Sequence, residues 1–286
     1  MKIVFVKSSE FGAIILKKLN QTSYKPILVI HAPDEEKILT IKPDLIIAPD
    51  FHQPFPKGLL DVSKQGVIGV NPSLLPRWRG SFPIQSTILS GDKKTGVTIF
   101  LIDEKIDHGP TLAQRELLIS EDDTPKILHD KLANLGARLL METIPKWQRG
   151  LIKPQPQDEP KVTFSKTLTR EDGKINWRKT AEELEREIRA FSFWPGSYTV
   201  WQKGGRFFRV EILKTRVFKS IGGLAYPVGK TLIVPQNEMC VQCGPGFLPG
   251  KGDFLVIEKL KLEGEKERSS EEFIRSNQGF IGTILK

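Results

Sequence analysis

Four short and almost wholly apolar runs in the first quarter of the chain limit its fold more than any other feature. They are KIVFV (2–6), ILVI (27–30), LIIA (45–48) and VIGV (67–70). Runs of this length without polar alternation are strands buried on both faces, which is the condition of a parallel sheet in an α/β domain. Parallel strands need crossovers between them, and helical patterns occupy the first gap. Ser9 can cap a helix through residues 11–19. Two further runs, 97–102 and 112–119, flank an Asp-rich loop. Thr124-Pro125 opens a helix with Leu128, Leu132, Leu135 and Leu139 on one face, reaching about Trp147. Residues 1–150 are therefore expected to form one α/β domain with a Rossmann-like parallel sheet.

The pattern changes at LIKPQPQDEPK (151–161), which is rich in Pro and Gln and has no periodicity. A Pro-stiffened linker over 151–165 is the expectation, with a second domain over 166–286. Thr180-Ala-Glu-Glu183 is a capping box. The helix that it opens presents Leu184, Ile188 and Phe191, pairs Glu182 with Arg186 and Glu185 with Arg189, and stops at Trp194-Pro195-Gly196. Short strands with Gly-rich turns follow, as in a small β-barrel of the OB-like kind. Trp177 and Trp194 are expected in its core.

Charge points to a polyanionic partner. The chain carries a net charge of +9. Residues 151–286 hold 23 Lys and Arg against 17 Asp and Glu, whereas residues 1–150 hold 20 against 17. The segment KGGRFFRVEILKTRVFK (203–219) has six basic residues and one acidic one, among aromatic and β-branched side chains. Such a ribbon, with Arg206, Arg209, Lys214 and Arg216, is either a surface for a phosphate backbone or a charged edge that resists aggregation. Cys240 and Cys243 form a lone CxxC with no second pair, so they read as buried strand residues and no metal is expected. No apolar run approaches the length of a membrane span, and the opening MKIVFVKSSEF is too short in its apolar part for a signal-peptide core. A cytoplasmic monomer is the expectation.

Two stretches carry chemistry. One is NPSLLPRWRG (71–80), continuing to Gln85; the other is GVTIFLIDEKIDHG (96–109). Both follow expected strands, where open α/β sheets bind ligands. The first offers a Pro-bounded loop with hydroxyl, amide and guanidinium groups. The second offers two aspartates, Asp103 and Asp107, and an imidazole on a turn that Gly109 permits.

These stretches resemble the signature of methionyl-tRNA formyltransferases. EDGKINW (171–177), IRAFSFWPGSY (188–198) and LKLEGEKERSSEEF (260–273) resemble segments of that family's carboxy-terminal domain. The resemblance implies a formyltransferase catalytic domain followed by a β-barrel domain that binds tRNA. It implies formyl-tetrahydrofolate as co-substrate, initiator methionyl-tRNA as partner, and transfer of the formyl group to the methionine α-amine. Ser73, Leu74, Leu75, Pro76 and Asp103 would then border the folate. Arg77 and Arg79 would join Arg206, Arg209, Lys214 and Arg216 in gripping tRNA, or else form a solvated turn anchored by Trp78. Asp103 equally suits a loop-ordering role.

The family uses an Asn, a His two residues later and a distant Asp. Aligned on Ser73-Leu-Leu-Pro76, the Asn falls on Gly69, the His on Asn71, and the Asp alone is kept, as Asp107. Asn71 can donate a hydrogen bond but cannot carry a proton. Losing an oxyanion donor costs ~100- to 1,000-fold and losing a general acid–base ~100- to 10,000-fold. His108, beside Asp107, and His52, in the Asp50-Phe-His-Gln53 loop, are candidate replacements; His52 equally reads as a surface histidine. The chain is also short between Ile30 and Pro43, where relatives carry another β–α unit and a basic loop, and Lys7–Phe11 replaces a Gly-rich turn. Three functions are therefore open: a tRNA formyltransferase, a degenerate relative that binds tRNA or folate without turnover, and an amino-sugar N-formyltransferase. The last is disfavoured because sugar enzymes were expected to lack the carboxy-terminal domain.

Overall fold

The computed structural model describes residues 1–219, 226–234, 238–244 and 253–286. It divides into two compact units, Met1–Thr167 and Leu168–Lys286.

The first unit is built on a six-stranded sheet. Its strands are β1 (Ile3–Val6), β2 (Leu28–Ile30), β3 (Leu45–Pro49), β4 (Val67–Asn71), β5 (Lys94–Leu101) and β6 (Thr111–Leu118), in the spatial order β2-β1-β3-β4-β5-β6. The four apolar runs form the parallel part, and the residues of β1, β3 and β4 are all buried. The sheet is parallel from β2 to β4, as expected, and two antiparallel strands extend it, β5 against β4 and β6 against β5. A connection of nine residues between β5 and β6 is too short for a crossover and long enough only for a hairpin. Helices α1 (Glu10–Leu19), α2 (Glu35–Ile41), α3 (Lys57–Leu60), α4 (Pro83–Leu89) and α5 (Pro125–Gln148) complete the unit. Ser9 and Thr124 accept hydrogen bonds from Gly12 and Ile127 as N-caps of α1 and α5. Leu128, Leu132, Leu135 and Leu139 are all buried.

The segment read as a linker is laid along this first unit. Gln155 exchanges both backbone hydrogen bonds with Thr111, and Arg79 exchanges bonds with Thr163 and Ser165. The physical reason is that its prolines hold an extended shape whose free backbone groups match those of β6 and the 72–80 loop.

In the second unit α6 (Ala181–Ala190) carries the capping box between Thr180 and Glu183. The strands β7 (Ser197–Lys203), β8 (Arg206–Lys219), β9 (Thr231–Ile233), β10 (Met239–Cys243) and β11 (Asp253–Leu262) form an antiparallel sheet ordered β7-β8-β11-β10-β9, and β12 (Arg268–Ser269) pairs with β11 before α7 (Ser270–Ser276). The last residues join the two edges: Lys286 exchanges bonds with Val200 of β7, while Leu285 donates to Gly229 and Thr231 to Thr283 beside β9. Both edges are thereby covered, as in a small barrel. Trp201, Phe273 and Phe280 cluster edge-to-face in its core. Trp177 is buried and donates to Thr199. Trp194 departs from the expectation: it lies 36% exposed, with the Arg170 guanidinium over its ring, in the turn that follows the end of α6 at Ala190. Cys240 and Cys243 are buried free thiols, and burial pushes Cys240 up to about 12.

Candidate active site

Asp50 and His52 follow β3, Asn71 ends β4, and Asp107 lies in the β5–β6 connection. The parallel pairing of β3 with β4 continues past the strand end, since the Asp50 amide donates to the Val70 carbonyl at 3.0 Å. That register sets the His52 loop beside Asn71. The two signature stretches also meet: the Gly80 amide donates to Asp107 Oδ2 at 2.8 Å. Asp50 and Asp107 both adopt left-handed backbone, at φ 52° each, and non-glycine residues hold that conformation only where surrounding contacts enforce it.

The enforcing contacts at Asp107 include one residue that sequence reasoning missed. Gln157, in the supposed linker, donates at 2.8 Å to the carbonyls of both Asp107 and Gly109. Its carbonyl oxygen accepts from Arg79 Nε and Nη2, and Arg79 pairs with Glu159 at 2.7 Å. The Pro/Gln pattern contained the signal, because a Gln in an extended strap offers a donor and an acceptor to whatever lies beneath. Gly109 is pressed on Leu101: a Cβ there would sit 1.8 Å from its carbonyl oxygen.

At the centre are three orphaned polar atoms. Asn71 is buried, and neither its amide nitrogen nor its oxygen has a hydrogen-bond partner among the described residues. His52 Nε2 is bonded to Asp50 Oδ1 at 2.7 Å, and its Nδ1, also without a partner, lies 4.0 Å from Asp107 Oδ2. Burial pushes the Asp107 carboxyl above the usual carboxylate range, against the Gly80 amide, the His52 charge and the nearby Asn71 amide. Burial also opposes charging of His52, but the hydrogen bond and charge of Asp50, with the charge of Asp107, outweigh it and raise the imidazole. An orphaned buried polar atom costs about 1–3 kcal/mol, so three together mark a place built for a polar ligand rather than for packing.

Gly69 lies where the sheet leaves no room for a side chain. A Cβ at 69 would lie 2.4 Å from Phe100 Cε1, 2.6 Å from its Cζ and 3.1 Å from Ile102 Cγ1. Phe100 thus fills the space beside Gly69.

Several residues assigned to ligands serve other ends. Ser73 is fully buried; its hydroxyl donates to the Arg77 carbonyl at 2.7 Å, and its carbonyl accepts from Thr98. Leu75 is buried and held through Thr98 and Gln114. These two hold the shape of the loop, while Leu74 and Pro76 are half-buried. Asp103 and His108 bond each other at 2.6 Å, and His108 Nε2 faces Glu159 at 3.6 Å. His108 is thereby turned to the loop network and is not paired with Asp107. Arg79 is 3% exposed and fully engaged, so it does not meet tRNA phosphates. Arg77 stacks on Trp78 and pairs with Asp92 at 2.7 Å, a packing anchor that half-buries its charge.

On the ribbon of β7 and β8, Lys214 pairs with Glu258 at 2.7 Å, and Arg216 with Glu238 and Glu258. Arg209 lies 3.6 Å over the Tyr198 ring. Arg206 is exposed and has no acidic partner among the described residues. The usable positive charge therefore sits at the β7–β8 turn. Among the described residues no cluster of His, Cys, Asp and Glu is placed to hold a metal, and no helix is long and apolar enough to cross a membrane.

Residues 13–144 match the formyl transferase model and residues 167–278 match the formyl transferase C-terminal domain model. The chain belongs to the formyl transferase family. It is 34% identical to the methionyl-tRNA formyltransferase of Bacillus velezensis and 32% to that of Bacillus subtilis, in each case over 99% of this chain and 97% of the relative. Among solved structures, the N-formyltransferase of Helicobacter canadensis, in complex with folinic acid and dTDP-3-aminofucose, aligns over 90% of this chain and 98% of its own with TM-score 0.68 and 17% identity. HypX of Aquifex aeolicus in complex with tetrahydrofolic acid aligns over 98% of this chain with TM-score 0.66 and 18% identity; the chain spans about half of HypX (48%). The Helicobacter alignment corrects one inference: a second unit does not by itself exclude an amino-sugar enzyme.

Proposed function

We propose that this chain transfers a formyl group from formyl-tetrahydrofolate to the α-amine of methionine on initiator methionyl-tRNA, in the cytoplasm, at the start of translation. The observation that carries the reading is the orphaned Asn71 amide beside Asp107, beneath the Ser73–Gly80 loop. Acyl transfer to an amine passes through a tetrahedral oxyanion, which a buried, pre-aimed N–H donor stabilises. Asn71 Nδ2 is such a donor. Asp107 orients the polar centre and balances positive charge as the amine attacks. The choice of tRNA over a sugar rests on sequence: identity of 34% over the full length to a methionyl-tRNA formyltransferase against 17% to the amino-sugar enzyme. Arg206, with Arg209 behind it, suits the phosphate backbone.

A second reading has its own observation. Gly69 lacks the family's donor and Phe100 fills its place, which suits a protein that binds tRNA or folate without turnover. Incubation with methionyl-tRNA and formyl-tetrahydrofolate separates the two, with a dTDP-linked amino sugar as the competing acceptor. Transfer to tRNA that Asp107→Ala lowers ~100-fold or more supports the enzyme. Tight tRNA binding without transfer supports the second reading, and transfer to the sugar alone overturns the proposed acceptor.

A further inference from the structure

Resting on the formyl-transfer reading, we propose that His52 is the proton carrier of the site, delivered from the loop after β3 instead of from the end of β4. The chain has four histidines. His31 is exposed, His108 is engaged by Asp103 and Glu159, and His129 is bonded to Asp130 with its ring edge-on to Phe11. His52 alone faces Asp107, at 4.0 Å.

Its setting is that of a built base. The loop is fixed at its root by Ser8, whose hydroxyl lies 3.2 Å from the carbonyls of Pro49 and Asp50. Phe51 packs edge-on against buried Phe55. Asp50 Oδ1 accepts from Nε2 at 2.7 Å and so selects the tautomer with its proton on Nε2. The lone pair then sits on Nδ1, which is buried and has no partner. At 4.0 Å from Asp107 the contact is too long for a hydrogen bond and short enough for charge to be felt. Asp50 and Asp107 are the charged groups facing the ring. Such a carboxylate–imidazole pair, with a free nitrogen turned towards a second carboxylate, has the parts that proton transfer in acyl exchange requires.

The step balances without any added reagent. The methionine nitrogen bonds to the formyl carbon while the carbonyl electrons move to oxygen, beside Asn71. His52 Nδ1 takes a proton from the attacking nitrogen, and Asp50 and Asp107 flank the resulting imidazolium. The carbonyl re-forms, the bond from carbon to the folate nitrogen breaks, and His52 returns the proton to that nitrogen.

The test measures transfer to methionyl-tRNA by the full chain and its His52→Ala, Asp50→Asn and His129→Gln variants. His52→Ala should lower kcat ~100- to 10,000-fold with KM for tRNA within about threefold, and added imidazole should restore part of the lost rate. Asp50→Asn, which leaves the ring in place, should slow transfer at least about tenfold, whereas His129→Gln should leave it unchanged. Wild-type transfer with both His52→Ala and Asp50→Asn undiminished overturns this inference alone, as does a slow His52→Ala protein indifferent to imidazole. No transfer by the wild type overturns the formyl-transfer reading, and this inference with it.

Discussion

Placing a side chain at Gly69 should strain the sheet. In Gly69→Ala the new Cβ would lie 2.4 Å from Phe100 Cε1, about 1 Å short of ordinary carbon–carbon contact. Phe100 is 3% exposed and Ile102 stands on the same side at 3.1 Å, so the ring cannot swing clear without moving its own neighbours. Overpacking of this kind costs about 1–3 kcal/mol. Amide hydrogen exchange over residues 67–71 and 97–101 reads that cost locally, as exchange faster by roughly 5- to 150-fold. Phe100→Leu alone should cost about 1 kcal/mol by leaving a small void. The double variant should be less destabilised than the sum of the singles by about 0.5–3 kcal/mol, since each change accommodates the other. Gly69→Asn should behave as Gly69→Ala with a further loss, because its amide enters an apolar space. Unchanged exchange in Gly69→Ala, or strict additivity in the double variant, would refute the idea that Phe100 fills the space beside Gly69.

Three further outcomes are expected. Asp107 is buried with its carboxyl raised above the unfolded value, so its contribution to stability is full below the unfolded value near 3.8 and is lost as pH rises through the folded one. Asp107→Asn should therefore raise Tm at pH 7.5, by an amount that shrinks as pH falls towards 4, while formyl transfer is lost; a lower Tm at pH 7.5 would contradict this. Gln157→Ala removes both donations to the Asp107 turn and one partner of the buried Arg79 guanidinium, and should cost about 1–3 kcal/mol in thermal unfolding. On the ribbon, Arg206→Ala should lessen the slope of log K for tRNA against log salt by about 1. Lys214→Ala should change it less, because Glu258 already neutralises that charge.

Much of the framework was legible before any coordinates. Buried strands announce themselves as unbroken apolar runs, and the Thr180–Glu183 capping box and the Leu128–Leu139 face follow from helical spacing alone. The direction of β5 and β6 was not legible, since a strand's composition does not record which way its neighbour runs. The partners of Ser73 were not legible for a related reason. A hydroxyl in a signature loop can face a ligand or its own backbone, and here Arg77 and Thr98 take it up. Arg79 is the same case with a charge: its burial depends on Gln157 and Glu159, about eighty residues further along.

By itself, then, the order of residues determined the two-part architecture and the family. Those are properties of local pattern and of matching motifs, which need no third dimension. Only the folded molecule decided that Phe100 fills the gap at Gly69, that Gln157 straps the Asp107 turn, and that His52, nineteen positions before Asn71, comes to face the same carboxylate. Each depends on the register between neighbouring strands, and register is set by long-range packing that no short segment encodes.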